Sequence, residues 1–89
     1  MTEDSDILED CVYEGRIAEI FKGFRNYDTL FKFQGGEIWR QDEYTYEYHH
    51  LFSPKAKIIR IRKRGGTKET FYIEIDGVKT RVKVKAAYV

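Results

Sequence analysis

Residues 57–84 read KIIRIRKRGGTKETFYIEIDGVKTRVKV. Apolar and polar side chains alternate through three segments separated by Gly65-Gly66 and Asp76-Gly77. A period of two marks half-buried strands, and Gly-Gly or Asp-Gly marks a tight turn. A two-residue type I′ turn at Asp76-Gly77 pairs Ile75 with Val78, Ile73 with Thr80 and Phe71 with Val82. On the opposite face it sets Glu74 against Lys79, Tyr72 against Arg81 and Thr70 against Lys83. A three-residue loop, Gly65-Gly66-Thr67, aligns Ile59 with Ile73 and Ile61 with Phe71, and it places Arg60 beside Tyr72 and Arg62 beside Thr70. The predicted unit is a three-stranded meander. Ile59, Ile61, Ile73 and Ile75 turn inward, while Arg60, Arg62, Tyr72, Arg81 and Lys83 share the outer face with Lys79. A slip of one residue would move each set to the wrong side.

The pattern stays β toward the N-terminus. Strand one is expected over Tyr13–Lys22, a turn over 23–28 and strand two over Thr29–Gln34. Gly35-Gly36 predicts a hairpin that sets Phe33 opposite Ile38 and Lys32 opposite Trp39, the latter a cation–π pair. Strand three starts at Glu37, breaks near Asp42-Glu43, resumes through Tyr44–Phe52 and ends at Ser53-Pro54, since proline has no ladder donor. Strands four, five and six follow at Lys57–Arg64, Lys68–Asp76 and Val78–Val84. No long segment has a 3.6-residue period. The fold class is all-β: a small antiparallel SH3-like barrel or roll of five to six strands. An OB-like barrel is the alternative, but it normally needs a helix that 52–56 is too short to supply.

Charge is distributed unevenly. Residues 1–50 carry 12 acidic and 5 basic side chains, and residues 51–89 carry 3 and 11, so a net charge of +1 conceals two oppositely charged halves. This asymmetry points to a charged partner or to one half covering the other. Residues 1–11 read as an acidic tail, frayed or forming one helical turn, and 12–89 as a single β-barrel domain. The tail either solubilises the chain or lies across the basic half and competes with a ligand. Eighty-nine residues bury roughly 60–65% of the unfolded surface, enough for one modest core. With Cys11 as the only cysteine there is no internal disulfide, which fits a reduced, cytoplasmic setting. The acidic first residues, without an apolar core, lead us to expect no signal peptide, and no apolar run reaches membrane-spanning length.

Two side-chain groups suggest binding. Arg60, Arg62, Arg81 and Lys83 can pair with nucleic-acid phosphates while Tyr72 stacks on a base; the plain alternative is a solvated outer face. Trp39, Tyr44, Tyr46 and Tyr48 can form an aromatic groove for a protein segment, with Asp42, Glu43 and Glu47 favouring a cationic guest; the plain alternative is that these rings cover the core. Which face of the tyrosine strand is buried stays open. His49 and His50 are adjacent and point to opposite faces, and no C-x-x-C or H-x-x-x-H spacing occurs, so neither a metal nor another cofactor is expected. No nucleophile stands beside a base in a known arrangement, and no phosphate loop is present, so no enzymatic activity is expected. Strand edges can self-pair, which allows a homodimer.

Residues 16–78 resemble a family of small, functionally uncharacterised prokaryotic β proteins with a Trp-Gln-rich strand and a tyrosine row. The resemblance rests on Gly23, Asp28-Thr29-Leu30-Phe31-Lys32-Phe33, Gly35-Gly36-Glu37-Ile38-Trp39-Arg40-Gln41, the row Tyr44, Tyr46 and Tyr48, Pro54-Lys55-Ala56-Lys57-Ile58, and Gly77. Arg40 stands where the family pattern has glutamine. The resemblance implies a compact SH3-like barrel and brings no activity and no catalytic residues. The A-L-Y-D-Y-like stretch of SH3 domains is absent, so binding of proline-rich peptides does not carry over.

Overall fold

The computed structural model describes residues 6–87. Eight antiparallel strands make two sheets, with no α-helix among the described residues. They are β1 (Ile7–Arg16), β2 (Ile20–Phe24), β3 (Leu30–Lys32), β4 (Ile38–Gln41), β5 (Glu47–Phe52), β6 (Lys55–Lys63), β7 (Glu69–Ile75) and β8 (Arg81–Ala86). A six-stranded sheet runs β1-β6-β7-β8-β4-β3, and β2 pairs with β5 in a two-stranded ribbon. The strand count exceeds the predicted five to six because predicted strand one splits at 17–19 and predicted strand three at 42–46. The ladders do not close into a barrel. The edges of the large sheet are tied by one bridge, Ile17 to Phe33, flanked by backbone bonds from Ala18 N–H to the Lys32 carbonyl and from Gln34 N–H to the Arg16 carbonyl.

Directly opposed residues share a face, so the register fixes what is inside. The inner face carries rows such as Tyr13, Ile58, Ile73 and Val82 across β1, β6, β7 and β8. The ribbon adds Phe21 and Phe24, and β3 and β4 add Phe31 and Trp39. Ile58, Ile73, Val82 and Phe24 are fully buried. At roughly 1.5–3 kcal/mol per buried large apolar side chain, this single cluster supplies the driving force for folding.

Three predicted registers are corrected. The β6–β7 pair aligns Ile58, not Ile59, with Ile73, a shift of one residue. The loop is longer than three residues, with a turn closed by Gly66 N–H on the Lys63 carbonyl, so Arg62 opposes Glu69. Ile58 therefore points inward, and Arg60 and Arg62 move to the inner face. Ile59 and Ile61 are turned to the outer face, where Ile59 is nevertheless buried. The β7–β8 pair aligns Ile73 with Val82 and Glu74 with Arg81, two residues from the predicted pairing, which keeps every side chain on its predicted face. The Asp76-Gly77 turn is not type I′, because only Gly77 takes a positive φ (89°) and type I′ needs two. The third correction is at Gly35-Gly36, where Phe31 opposes Trp39 and Lys32 opposes Ile38. Trp39 is inside and Lys32 outside, so the predicted cation–π pair does not form.

The acidic tail is corrected as well. Residues 1–5 lie outside the described residues, but Ile7–Cys11 open β1 and pair with Lys63–Ile59 of the basic β6. One half of the chain thus covers the other, through backbone bonds and through carboxylates. A register shift between Cys11 and Tyr13 leaves Val12 as the extra residue and brings Tyr13 opposite Ile58.

Candidate functional site

The register decides the fate of the predicted basic face. Tyr72, Arg81 and Lys83 lie on the outer face of the large sheet, while Arg60 and Arg62 lie on the other. The five residues do not form one surface. Arg60 Nη2 donates to Asp10 Oδ2 at 2.9 Å, and its Nη1 is 3.7 Å from Glu69 Oε2. The Asp10 bond raises the already high pKa of Arg60 further, while its buried Nε has no bond partner. Arg81 donates from Nε to Glu74 at 2.9 Å, from Nη2 to the same carboxylate, and from Nη2 to Glu9 at 2.9 Å. Its guanidinium carbon stands 5.7 Å from the Tyr72 ring centre. This ion-pair chain crosses the outer face from β8 to β1. Of the predicted cations, only Arg62 and Lys83 have side chains without a carboxylate partner among the described residues.

The aromatic set separates too. Trp39 is buried at 6% exposure, packs 5.3 Å from Phe71 and donates its indole N–H to Glu37 at 3.1 Å. Tyr44, Tyr46 and Tyr48 are 79%, 74% and 70% exposed, so the tryptophan and the tyrosines do not line one groove, and the tyrosines do not cover the core. They continue into Phe52, which is 75% exposed. Along β5, Glu47, His49 and Leu51 turn inward, and Tyr48, His50 and Phe52 turn outward. Ile20 opposes Phe52, and Tyr48 opposes Gly23 on β2, which offers no side chain. The outward face of the ribbon is therefore Ile20, Lys22, Tyr48, His50 and Phe52, with no acid among them. Sequence reasoning missed its second half, although the alternation from Tyr44 to Tyr48 runs on through His50 to Phe52.

Buried Gln41 organises the loop that carries the first two tyrosines. Its Nε2 donates to the Glu43 and Thr45 carbonyls, each at 2.9 Å, and its Oε1 accepts from Arg25 N–H at 3.0 Å. Glu43 accepts from Lys83 N–H at 2.8 Å and from the Thr45 hydroxyl. Inside the ribbon, Glu47 accepts from His49 Nε2 and from the Thr80 hydroxyl, each at 2.8 Å, and these bonds, His49 first, hold its carboxyl below the usual range. His49 stacks on Phe21 at 5.8 Å. The cluster pins β5 to the β7–β8 connection through the Thr80 hydroxyl. No group of three or more His, Cys, Asp or Glu side chains is placed to hold a metal among the described residues. No helix of the described residues is long and apolar enough to cross a membrane.

Because the folded pKa of Glu47 is depressed, the stability linked to it is present above the unfolded value of 4.5 and is lost as pH falls through the folded value. Thr80→Val is expected to destabilise the protein at pH 7 and to lie closer to wild type at pH 3, in urea denaturation. An equal difference at both pH values would show that Glu47 is not the group engaged.

No family model, no curated protein and no solved structure matches the chain.

Proposed function

We propose that the chain is a non-catalytic binding module that meets a protein partner through the aromatic row Tyr44, Tyr46, Tyr48 and Phe52. The observation that carries this reading is the exposure of all four rings at 70% or more. Tyrosine supplies large, rigid contact area at low entropy cost and is enriched where proteins meet. Arg60 and Arg81 already hold carboxylates, which favours a protein over a polyanion. An SH3-like roll, kinship with the small Trp-Gln-rich β proteins and a cytoplasmic setting belong to the same proposal. The Ile17–Phe33 bridge between the sheet edges supports the roll.

The test compares the full chain with a Tyr44→Ser, Tyr46→Ser, Tyr48→Ser variant, each carrying a photo-crosslinker at Phe52. A discrete protein adduct in wild type that disappears in the triple variant supports the reading; an unchanged adduct overturns it. Short single-stranded DNA and RNA are titrated in parallel. With Arg62 and Lys83 the two cations of the predicted basic set whose side chains hold no carboxylate, contact through that set alone is expected to give a slope of log K against log salt of about −1.4. A slope near −3 to −4 would instead favour phosphate contact as the function, and a dimer in sedimentation that depends on the tyrosines would make the partner a second copy.

A further inference from the structure

β2 and β3 are consecutive strands that do not pair. At one end they are tied by the Ile17–Phe33 bridge and the Ala18–Lys32 bond. At the other they are joined by a turn in which Thr29 N–H donates to the Asn26 carbonyl and Asn26 N–H to the Thr29 hydroxyl. Between these ties β2 has β5 as its ladder partner and β3 has β4. A groove of about 530 Å³ fills the opening, with Ile17, Phe21 and Phe31 as its apolar floor and Lys22, Arg25 and Lys32 on its rim.

Backbone direction shows what the groove offers. Ser53 N–H donates to the Glu19 carbonyl, so Phe21 faces β5, and the register shift after it brings Phe24 to face β5 next. Ala18 N–H donates across to Lys32, so Ile20 and the N–H of Lys22 face the opening. On β3, Gln41 N–H takes the Thr29 carbonyl, which leaves Leu30 facing the opening. The N–H and C=O groups of Ile20 and Leu30 and the N–H of Lys22 point away from the ladders of their own strands. Two strand edges with free hydrogen-bonding groups thus face each other across an apolar floor.

We propose that this opening is a strand-docking site, in which an extended segment of a partner protein inserts between β2 and β3 and bonds to the backbone of Ile20, Lys22 and Leu30. In such augmentation the main chain supplies affinity, and alternate side chains supply specificity. Side chains on one face of the segment meet the Phe21–Phe31 floor, and those on the other face solvent and the rim. Lys22, Arg25 and Lys32 carry no ion pair among the described residues and outnumber the rim acids Glu19 and Asp28, so the segment is apolar on one face and acidic on the other. The five residues of β2 accommodate a segment of about the same length, roughly 17 Å. The site uses the backbone of β2 and stands independently of the aromatic row on β5.

The probe is a capped hexapeptide of alternating valine and glutamate, with a valine–lysine hexapeptide as counterpart, titrated into the isotopically labelled full chain and followed by amide shifts and hydrogen exchange. The acidic peptide is expected to produce saturable shifts and slowed exchange at the Ile20, Lys22 and Leu30 amides, and to bind at least about tenfold more tightly than the basic one. Lys22→Pro removes an N–H that faces the opening and spares the β2–β5 ladder. It is expected to weaken binding about tenfold while the Phe21 and Phe24 amides stay protected. Lys22→Glu, which keeps the backbone intact, is expected to reverse the preference toward the basic peptide and carries the test if the proline variant does not fold. The proposal is overturned by protection of the Ile20, Lys22 and Leu30 amides in the free protein, by the absence of saturable shifts with the acidic peptide, or by unchanged peptide preference in Lys22→Glu.

Discussion

Gly23→Ala is expected to cost at least about 3 kcal/mol, enough to unfold much of a population whose total stability is about 4–13 kcal/mol. A Cβ at this position would stand 2.0 Å from the Glu47 carbonyl oxygen and 2.9 Å from His49 N, both backbone atoms of the paired strand. Neither can swing aside as a side chain end does, so β5 must leave β2 or the backbone must bend. The φ of +113° adds strain for any L side chain. Gly77→Ala is the internal control. Its φ is +89° but nothing lies within 4 Å of the added carbon, so it incurs only the conformational strain, about 1–2 kcal/mol. Urea denaturation of both variants checks the contrast. Equal losses would mean that the close approach of β2 to β5 is not what the glycine serves.

Gln41→Leu is expected to destabilise by about 3–5 kcal/mol. The leucine fills similar volume but strands the Arg25 N–H and the Glu43 and Thr45 carbonyls that the amide now satisfies; each orphaned group costs about 1–3 kcal/mol. Some of that is regained as the loop opens to water. Gln41→Glu separates bonding from packing. Two carbonyls that now receive Nε2–H would face a carboxylate oxygen, so at pH 7 this near-isosteric change is expected to harm stability at least as much as leucine. It should recover partly in acid, where a protonated carboxyl can donate one bond again. A glutamate variant as stable as wild type at pH 7 would show that the Gln41 donors are dispensable.

These effects trace to features of differing legibility. The antiparallel strands from Ile38 to Ala86 follow from period-two alternation and from Ser53-Pro54 and Asp76-Gly77 as breaks. The faces of β7 and β8 were legible because their apolar residues occupy one parity only. β6 was not, because Ile58 and Ile59 are adjacent and either can enter the core. The outer-facing choice is stabilised by Asp10, which supplies a counter-ion for an inward Arg60 from a strand 50 residues away. The same distance hid β1, since Ile7–Asp10 read as a solvated tail until Lys63–Arg60 stand beside them. The tyrosine row was found, but its exposure was not. Alternation gives two faces of a strand without saying which is wet, and here His49 and Leu51 fill the inside in place of the rings.

The pairing of the first strand with residues far along the chain also bears on how fast the molecule assembles. Glu9 meets Arg81 across 72 positions, and the ladder that anchors β1 cannot begin until β6 exists. Closing loops of that size before any contact rewards them is expected to make folding slow, on roughly the millisecond-to-second scale. During synthesis the acidic Ile7–Cys11 segment would stay without its mate until Ile59–Lys63 had emerged.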